Sequence, residues 1–377
     1  MVERAEAADG TAGHAGIADG ADMSATPSLA GLTTLRVGGP IHTFVAAGSE
    51  EQLIAAVRSA DADRRPLLVL GGGSNVLAPD AGFDGVVVQD QRGTMEVDDR
   101  GGGQGVNVRV SAGQDWDEFV ARAVAEGWQG VEALSGIPGS TGATPMQNVG
   151  AYGQEVAEVI ASVRTWDRAT GQVRTLARAD LGFGYRNSVL KESLYAADSP
   201  WFPTPRYVVL EVQFHMTLGE MSAPIRYAEL ARTLEVSLGD RAASAAVREA
   251  VLGLRRGKGM VLDPADHDTW SAGSFFTNPV LDGAEAARLP DDAPRFEAPG
   301  GKTKTSAAWL IAHAGFGKGY GLPGPAALST KHTLALTNRG EARAADLIAL
   351  ARTVRAGVLE RFGVELVPEP VLLDGRL

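Results

Sequence analysis

Residues 136–153 read GIPGSTGATPMQNVGAYG, and the fold of this chain turns on how that stretch is understood. Five glycines and two prolines in it interrupt any helical or strand period. A connection of this length inside a compact domain is usually functional or disordered. Ile137, Met146, Val149 and Tyr152 offer apolar anchors, so order is expected. Its backbone N–H groups, together with Ser140, Thr141, Thr144, Gln147 and Asn148, suit wrapping a polar, phosphorylated ligand.

A second glycine loop lies upstream. Leu67-Leu68-Val69-Leu70 is a short apolar run typical of a buried strand, and it leads directly into Gly71-Gly72-Gly73-Ser74-Asn75. Consecutive glycines let an anion approach the backbone closely. The loop is not a GxGxxG fingerprint, and no Lys-Ser/Thr follows as a P-loop requires. Taken alone it could equally be a tight turn. Two such loops in the first half of the chain suggest a large dinucleotide.

The surrounding pattern is mixed. Ser49-Glu50-Glu51-Gln52 fits a capping box, and Leu53, Ile54 and Val57 continue it as a helical stripe. Val86–Val88 suggests a buried strand, and Val106, Val108 and Val110 alternate as a half-exposed one. Trp116, Phe119, Val120, Ala123 and Val124 mark a helix face that stops at Gly127. Strands are predicted over 159–166 and 207–214, and helices over 242–254 and 341–362, the last ending at Gly363. Helices and strands interleave without a steady βαβ period, which argues for an α+β fold.

Composition narrows the chemistry. The 377 residues contain no cysteine, which excludes disulfides, thiolate metal sites and a cysteine nucleophile. Glycine is in excess, at 47 residues. The net charge is −11 with no basic run, so neither nucleic acid nor an anionic membrane is an expected partner. No apolar run approaches the roughly 18 residues of a membrane span, and a cytoplasmic protein is expected. Residues 1–27, rich in Ala and Gly with five acids against one Arg, are expected to form a disordered tail. The six histidines lack metal-ligand spacing, so no metal site is expected.

In the second half the candidates are single residues. Arg186 lies in GFGYRNS, Ser274 in AGSFFTNP, and Glu369 between Pro368 and Pro370. Each alone is more simply a surface arginine, a turn serine and a solvated glutamate.

Together the segments resemble a known family. TTLRVGG at 33–39, LGGGSNVL at 70–77, GIPGSTGATPMQNVGAYG, GFGYRNS at 182–188, AGSFFTNP at 272–279 and VPEP at 367–370 occur in the order of the UDP-N-acetylenolpyruvoylglucosamine reductase family. The resemblance spans essentially all of residues 29–373. It implies an enzyme with non-covalently bound FAD that uses NADPH to reduce UDP-N-acetylglucosamine enolpyruvate to UDP-N-acetylmuramate, in peptidoglycan precursor synthesis. It also implies a two-part, α+β FAD-binding fold of the vanillyl-alcohol-oxidase type followed by an α+β substrate-binding domain. The divisions expected are 28–92 with 364–377, then 93–217, then 218–363. A monomer is expected.

By the same resemblance Arg186, Ser274 and Glu369 match the catalytic residues, Ser274 as the proton donor. Gly71, Gly72, Gly73, Ser74, Asn75, Gly139, Ser140, Thr141, Gly142, Ala143, Asn148, Gly150, Ala151 and Tyr152 fall in the flavin-binding motifs. Tyr227, Lys258 and Asn278 match substrate contacts, and Lys331-His332 falls where substrate or nicotinamide is met. Two departures stand out. Thr277 replaces a lysine common in relatives, and the segment 195–205 is longer than the family pattern, with no evident role. The competing readings are another oxidase of the same FAD fold, often with covalent flavin, and a non-catalytic nucleotide-sugar or flavin-binding module. Absent Cys and the lack of His in the flavin loops disfavour covalent attachment.

Overall fold

The computed structural model describes residues 27–98, 105–196, 199–375 and 377. The tail expected at 1–27 lies outside the described residues except for Pro27.

Leu67–Leu70 forms one edge of a three-stranded parallel sheet in the order Ile41–Ala47, Phe83–Asp90, Leu67–Leu70. Phe83–Asp90 is central, which explains the unbroken apolar run Val86–Val88. The helix Glu50–Ala62 covers this sheet with Leu53, Val57 and Ala60. Ser49 Oγ accepts from Gln52 N as expected, at 3.2 Å. The Gln52 side chain, however, accepts from Gly48 N at 2.9 Å, one residue before the position a capping box would use.

An antiparallel sheet follows, in the order Gln172–Ala177, Ile160–Asp167, Tyr207–Leu218, Gly105–Ser111, Met95–Asp98. The alternating valines of Gly105–Ser111 face the helix Trp116–Ala125, where Phe119 stacks on Phe214 with ring centroids 4.7 Å apart. The other face of this sheet sends Trp166, Val208 and Leu210 into the core under the parallel sheet, so the two layers are welded together.

Beyond residue 218 the apolar side chains gather in two places. Helices Ala228–Thr233 and Ser244–Gly257 pack against Ala133 and Tyr152. Helices Ala307–His313 and Ala344–Phe362, with the hairpin Ala326–Leu328 and Leu336–Asn338, enclose a separate core that takes in Leu35, Val37 and Leu77 from the first layer. Gly363 ends the long helix in the left-handed region at φ 67°. The chain then returns, and Val371–Leu372 pairs in parallel with Val76–Leu77. The stretch 136–153 is less irregular than its composition suggests. Thr141–Gln147 is a run of 3-10 turns, and Gly150–Ala151 pairs with Gln154–Glu155.

Candidate active site

The two glycine loops interlock. A Cβ on Gly72 would stand 2.7 Å from the Cα of Gly139, and backbone cannot give way. These glycines therefore serve first to let one loop lie against the other. The second loop is pinned from beneath: Trp116 N donates to Gly139 O, Thr141 N to Gln114 O and Gly142 N to Ala112 O. Its N–H groups are therefore only partly open to a ligand: those of Thr141, Gly142 and Ala143 are paired within the protein, whereas among the described residues no acceptor meets those of Gly139 and Ser140, which line the same cleft as the first loop. The first loop differs. Among the described residues no acceptor faces the N–H groups of Gly71, Gly72, Gly73, Ser74 and Asn75. All five residues line a cleft of about 510 Å³. A row of unpaired backbone donors along a cavity fits a pyrophosphate, so the donor set suits FAD.

One wall of the cleft is polar. The chain's return brings Glu369 beside the first loop, where Glu369 N donates to Phe275 O and Asn75 Nδ2 donates to Glu369 O. Arg186 Nε stands 3.1 Å from Glu369 Oε1, a charge contact that lacks hydrogen-bond alignment. Arg186 Nη2 donates to Gly150 O at 2.9 Å. Gln147 links the cluster, its Nε2 donating to Glu369 Oε1 at 3.0 Å while its Oε1 faces Lys191 Nζ at 3.4 Å. Burial holds the Lys191 ammonium below the usual lysine range, against the opposing pull of Glu369. Arg186, Asn148 and Tyr152 all adopt φ near +50°, which is uncommon for residues with a side chain. Such strain gathers where a site fixes its geometry.

Ser274 directly precedes Phe275, the residue paired with Glu369, and its Oγ lies 3.4 Å from His332 Nε2. His332 is anchored by its own N–H on Ser329 Oγ. Burial, then the cations Lys258, Lys318 and Arg255, lower its pKa to about 4, so the imidazole is neutral at pH 7. Nearby, Lys258 Nζ pairs with Glu229 Oε2 at 2.5 Å and lies 5.5 Å from the Tyr152 ring. Burial is the largest influence and would lower the Lys258 pKa, but the Glu229 hydrogen bond together with the charges of Tyr152, Glu229 and Tyr227 outweighs it, and the net shift is upward. Tyr227 meets Tyr152 edge to face, centroids 5.4 Å apart, and remains 42% exposed at the rim.

Most of the expected site residues line this one cleft, including Arg186, Ser274, Glu369, Tyr227 and Lys258. Three do not. Thr141 is wholly buried behind the loop. Asn148 is saturated, its amide donating to Glu155 Oε2 and Gly184 O and accepting from Ala157 N. Asn278 Oδ1 accepts from Ala307 N at the start of a helix. Their geometry makes them supports for the wall. Sequence reasoning gave no role to Lys191 or Arg255, and treated Gln147 only as one of several polar loop residues. Lys191 sits on the helix Val189–Tyr195, one turn after the cap Ser188, and that spacing from Arg186 was the available signal. Among the described residues no group of three His, Asp or Glu could hold a metal ion.

Comparison with known proteins agrees with this geometry. Residues 41–177 match the FAD binding domain family, and residues 263–373 match the C-terminal domain of UDP-N-acetylenolpyruvoylglucosamine reductase. Fold and cleft together define an FAD-binding oxidoreductase with an α+β architecture. The chain is 56% identical over 375 residues to the UDP-N-acetylenolpyruvoylglucosamine reductase of Saccharopolyspora erythraea, covering 96% of this chain and 99% of that one. It is 54% identical over 358 residues to that of Thermobifida fusca, covering 92% and 96%. The crystal structure of the Thermus caldophilus reductase superimposes with a TM-score of 0.59 at 25% identity, covering 92% of this chain and 97% of that one. The chain belongs to the UDP-N-acetylenolpyruvoylglucosamine reductase family.

Proposed function

We propose that this cleft reduces UDP-N-acetylglucosamine enolpyruvate to UDP-N-acetylmuramate with NADPH as hydride donor, the reductive step of peptidoglycan precursor synthesis in the cytoplasm. The observation that supports it best is the convergence of Arg186, Glu369 and Ser274, from three distant segments, on the cleft that also carries the unpaired N–H row.

FAD, when bound, supplies the two-electron carrier between a nicotinamide and the substrate. Gly71–Asn75 would hold its pyrophosphate through backbone donors. Saturating the enolpyruvyl double bond needs a hydride at C3 and a proton at C2. Negative charge therefore builds toward C2 and the carboxylate, and fixed cationic donors aimed at it lower the barrier. Arg186 is suited to that role, with Gln147 holding Glu369 beside it. Ser274 Oγ delivers the proton to C2. A serine hydroxyl is a weak acid, so the step relies on a strongly basic carbanion in a site that excludes water. Neutral His332, at the serine hydroxyl, holds it in place without itself bringing a charge. Lys258 and Tyr227 at the rim suit a diphosphate and a sugar-nucleotide, which makes them the substrate clamp.

Residues 28–92 with 364–377 and residues 93–217 would carry the cofactor, and 218–363 would cover the substrate. The protein is taken to act as a monomer. The reading is tested by NADPH oxidation with and without UDP-N-acetylglucosamine enolpyruvate. The ether should accelerate consumption by orders of magnitude, with one lactyl ether formed per NADPH; no acceleration rejects the assignment.

A further inference from the structure

Ser274 and His332 stand on two segments that run side by side. Asn338 N donates to Trp270 O at 3.0 Å, Ser271 bridges to Thr337, and Phe275 N donates to Leu334 O at 2.8 Å. The turn that carries His332 is tight, because Lys331 N and His332 N both donate to Ser329 Oγ, at 3.0 and 3.2 Å. Those bonds fix the shape of the turn but not its distance from Ser274. The short turn His267–Thr269 supplies that distance. Asp268, only 4% exposed, accepts from Thr330 N at 2.8 Å through Oδ1 and from Thr330 Oγ1 at 2.5 Å through Oδ2. Arg339 Nη1 donates to the same Oδ1 at 2.8 Å. Burial opposes the Asp268 charge, but the hydrogen bonds of Thr330 and Ser329 and the cation Arg339 outweigh it, so the carboxyl stays below its usual range. Asp266 meets Lys331 Nζ at 2.5 Å, yet both are partly exposed, and such a pair contributes little.

We propose that Asp268 is a positioning residue for proton delivery: by gripping both the amide and the hydroxyl of Thr330, it sets His332, two residues on, against Ser274 Oγ. This rests on the reading of Ser274 as the proton donor. Asp268 stands behind the cleft wall, which Thr269, Ser271 and Ser274 form, so it acts only through its neighbours. The contact it governs is 3.4 Å long, at the edge of hydrogen-bond reach. A shift of the turn by about 1 Å would part imidazole from hydroxyl, and misplacement of that size costs up to about 100-fold in rate. Asp268 also abuts the turn after Lys258, since a Cβ on Gly259 would stand 3.0 Å from its carbonyl oxygen. Action through Lys258 would alter substrate affinity, whereas action through Ser274 alters the chemical step alone.

The test follows the two half-reactions of the flavin-loaded enzyme by rapid mixing. Asp268→Asn puts an amide where one carboxylate oxygen stood. Thr330→Val cuts the same contact from the other side and leaves the buried pair with Arg339 intact. Each should slow reoxidation by saturating UDP-N-acetylglucosamine enolpyruvate about tenfold, with reduction by NADPH and the half-saturating ether concentration at parent values. Thr330→Ser, which keeps the hydroxyl, should restore the parent rate. In a Ser274→Ala background neither substitution should slow reoxidation further, because a residue that acts through the serine has nothing left to position. Additive slowing in that background would overturn the proposal, as would equal slowing of both half-reactions or parent-like rates. A raised half-saturating concentration at an unchanged limiting rate would place the action on Lys258 and overturn it too. Parent-rate reoxidation by Ser274→Ala alone rejects the serine reading itself.

Discussion

Ser274 and His332 stand 58 residues apart in sequence yet 3.4 Å apart in space, and their contact makes a pH-dependent statement. The folded pKa of His332, about 4, lies below its ordinary 6.5. Between those values the unfolded chain binds a proton that the folded chain refuses, so stability falls as pH drops from 6.5 toward 4. The causes are burial first, then Lys258, Lys318 and Arg255. His332→Gln should therefore remove part of the stability loss between pH 6.5 and pH 5, as read by urea unfolding at a series of pH values, when parent and variant are compared. Identical pH profiles would mean that His332 titrates normally in the folded protein. The sequence exposed Ser274 through its motif. It left the serine's partner as one half of a Lys-His pair, because contact across 58 residues depends on how the turn at Ser329 is tied.

The glycine loops show what an element can hide. Read as sequence, residues 71–73 and 136–153 both looked like backbone opened toward a phosphate. In three dimensions the first keeps its N–H groups unpaired, while the second spends those of Thr141, Gly142 and Ala143 on its own turns and on Gln114 and Ala112. Composition cannot separate the two cases, because glycine permits close approach of a ligand and of another loop alike. Gly72→Ala distinguishes them. With the Cβ placed 2.7 Å from the Gly139 Cα, the substitution should force the loops apart and destabilise the protein by about 1–3 kcal/mol, measured by chemical unfolding of the apoprotein. A variant with parent-like apoprotein stability and weakened flavin binding would instead mean that Gly72 faces the ligand alone. Helix and strand periods were more legible. The valine alternation at 106–110 and the stripe from Leu347 to Val358 gave elements within a few residues of Gly105–Ser111 and Ala344–Phe362, since each buries one continuous apolar face.

At the scale of the whole molecule the site exists only because the chain closes on itself. Val371–Leu372 returns to pair with Val76–Leu77, which sets Glu369 against Asn75 and opposite Arg186. Nothing local in VPEP foretells that pairing; two prolines show only that the segment is extended. The family resemblance supplied the expectation, and the parallel pair supplies the physical reason. On the proposed function this single cleft serves both halves of the reduction, and Ser274 acts in only one. Rapid mixing of Ser274→Ala with NADPH, and then of the reduced protein with UDP-N-acetylglucosamine enolpyruvate, measures the two halves separately. Reduction of the bound flavin by NADPH should keep its parent rate, while reoxidation by the enol ether slows by about 100-fold or more. Parent-like reoxidation, or loss of bound flavin in the variant, would contradict the assignment of Ser274 as the proton donor.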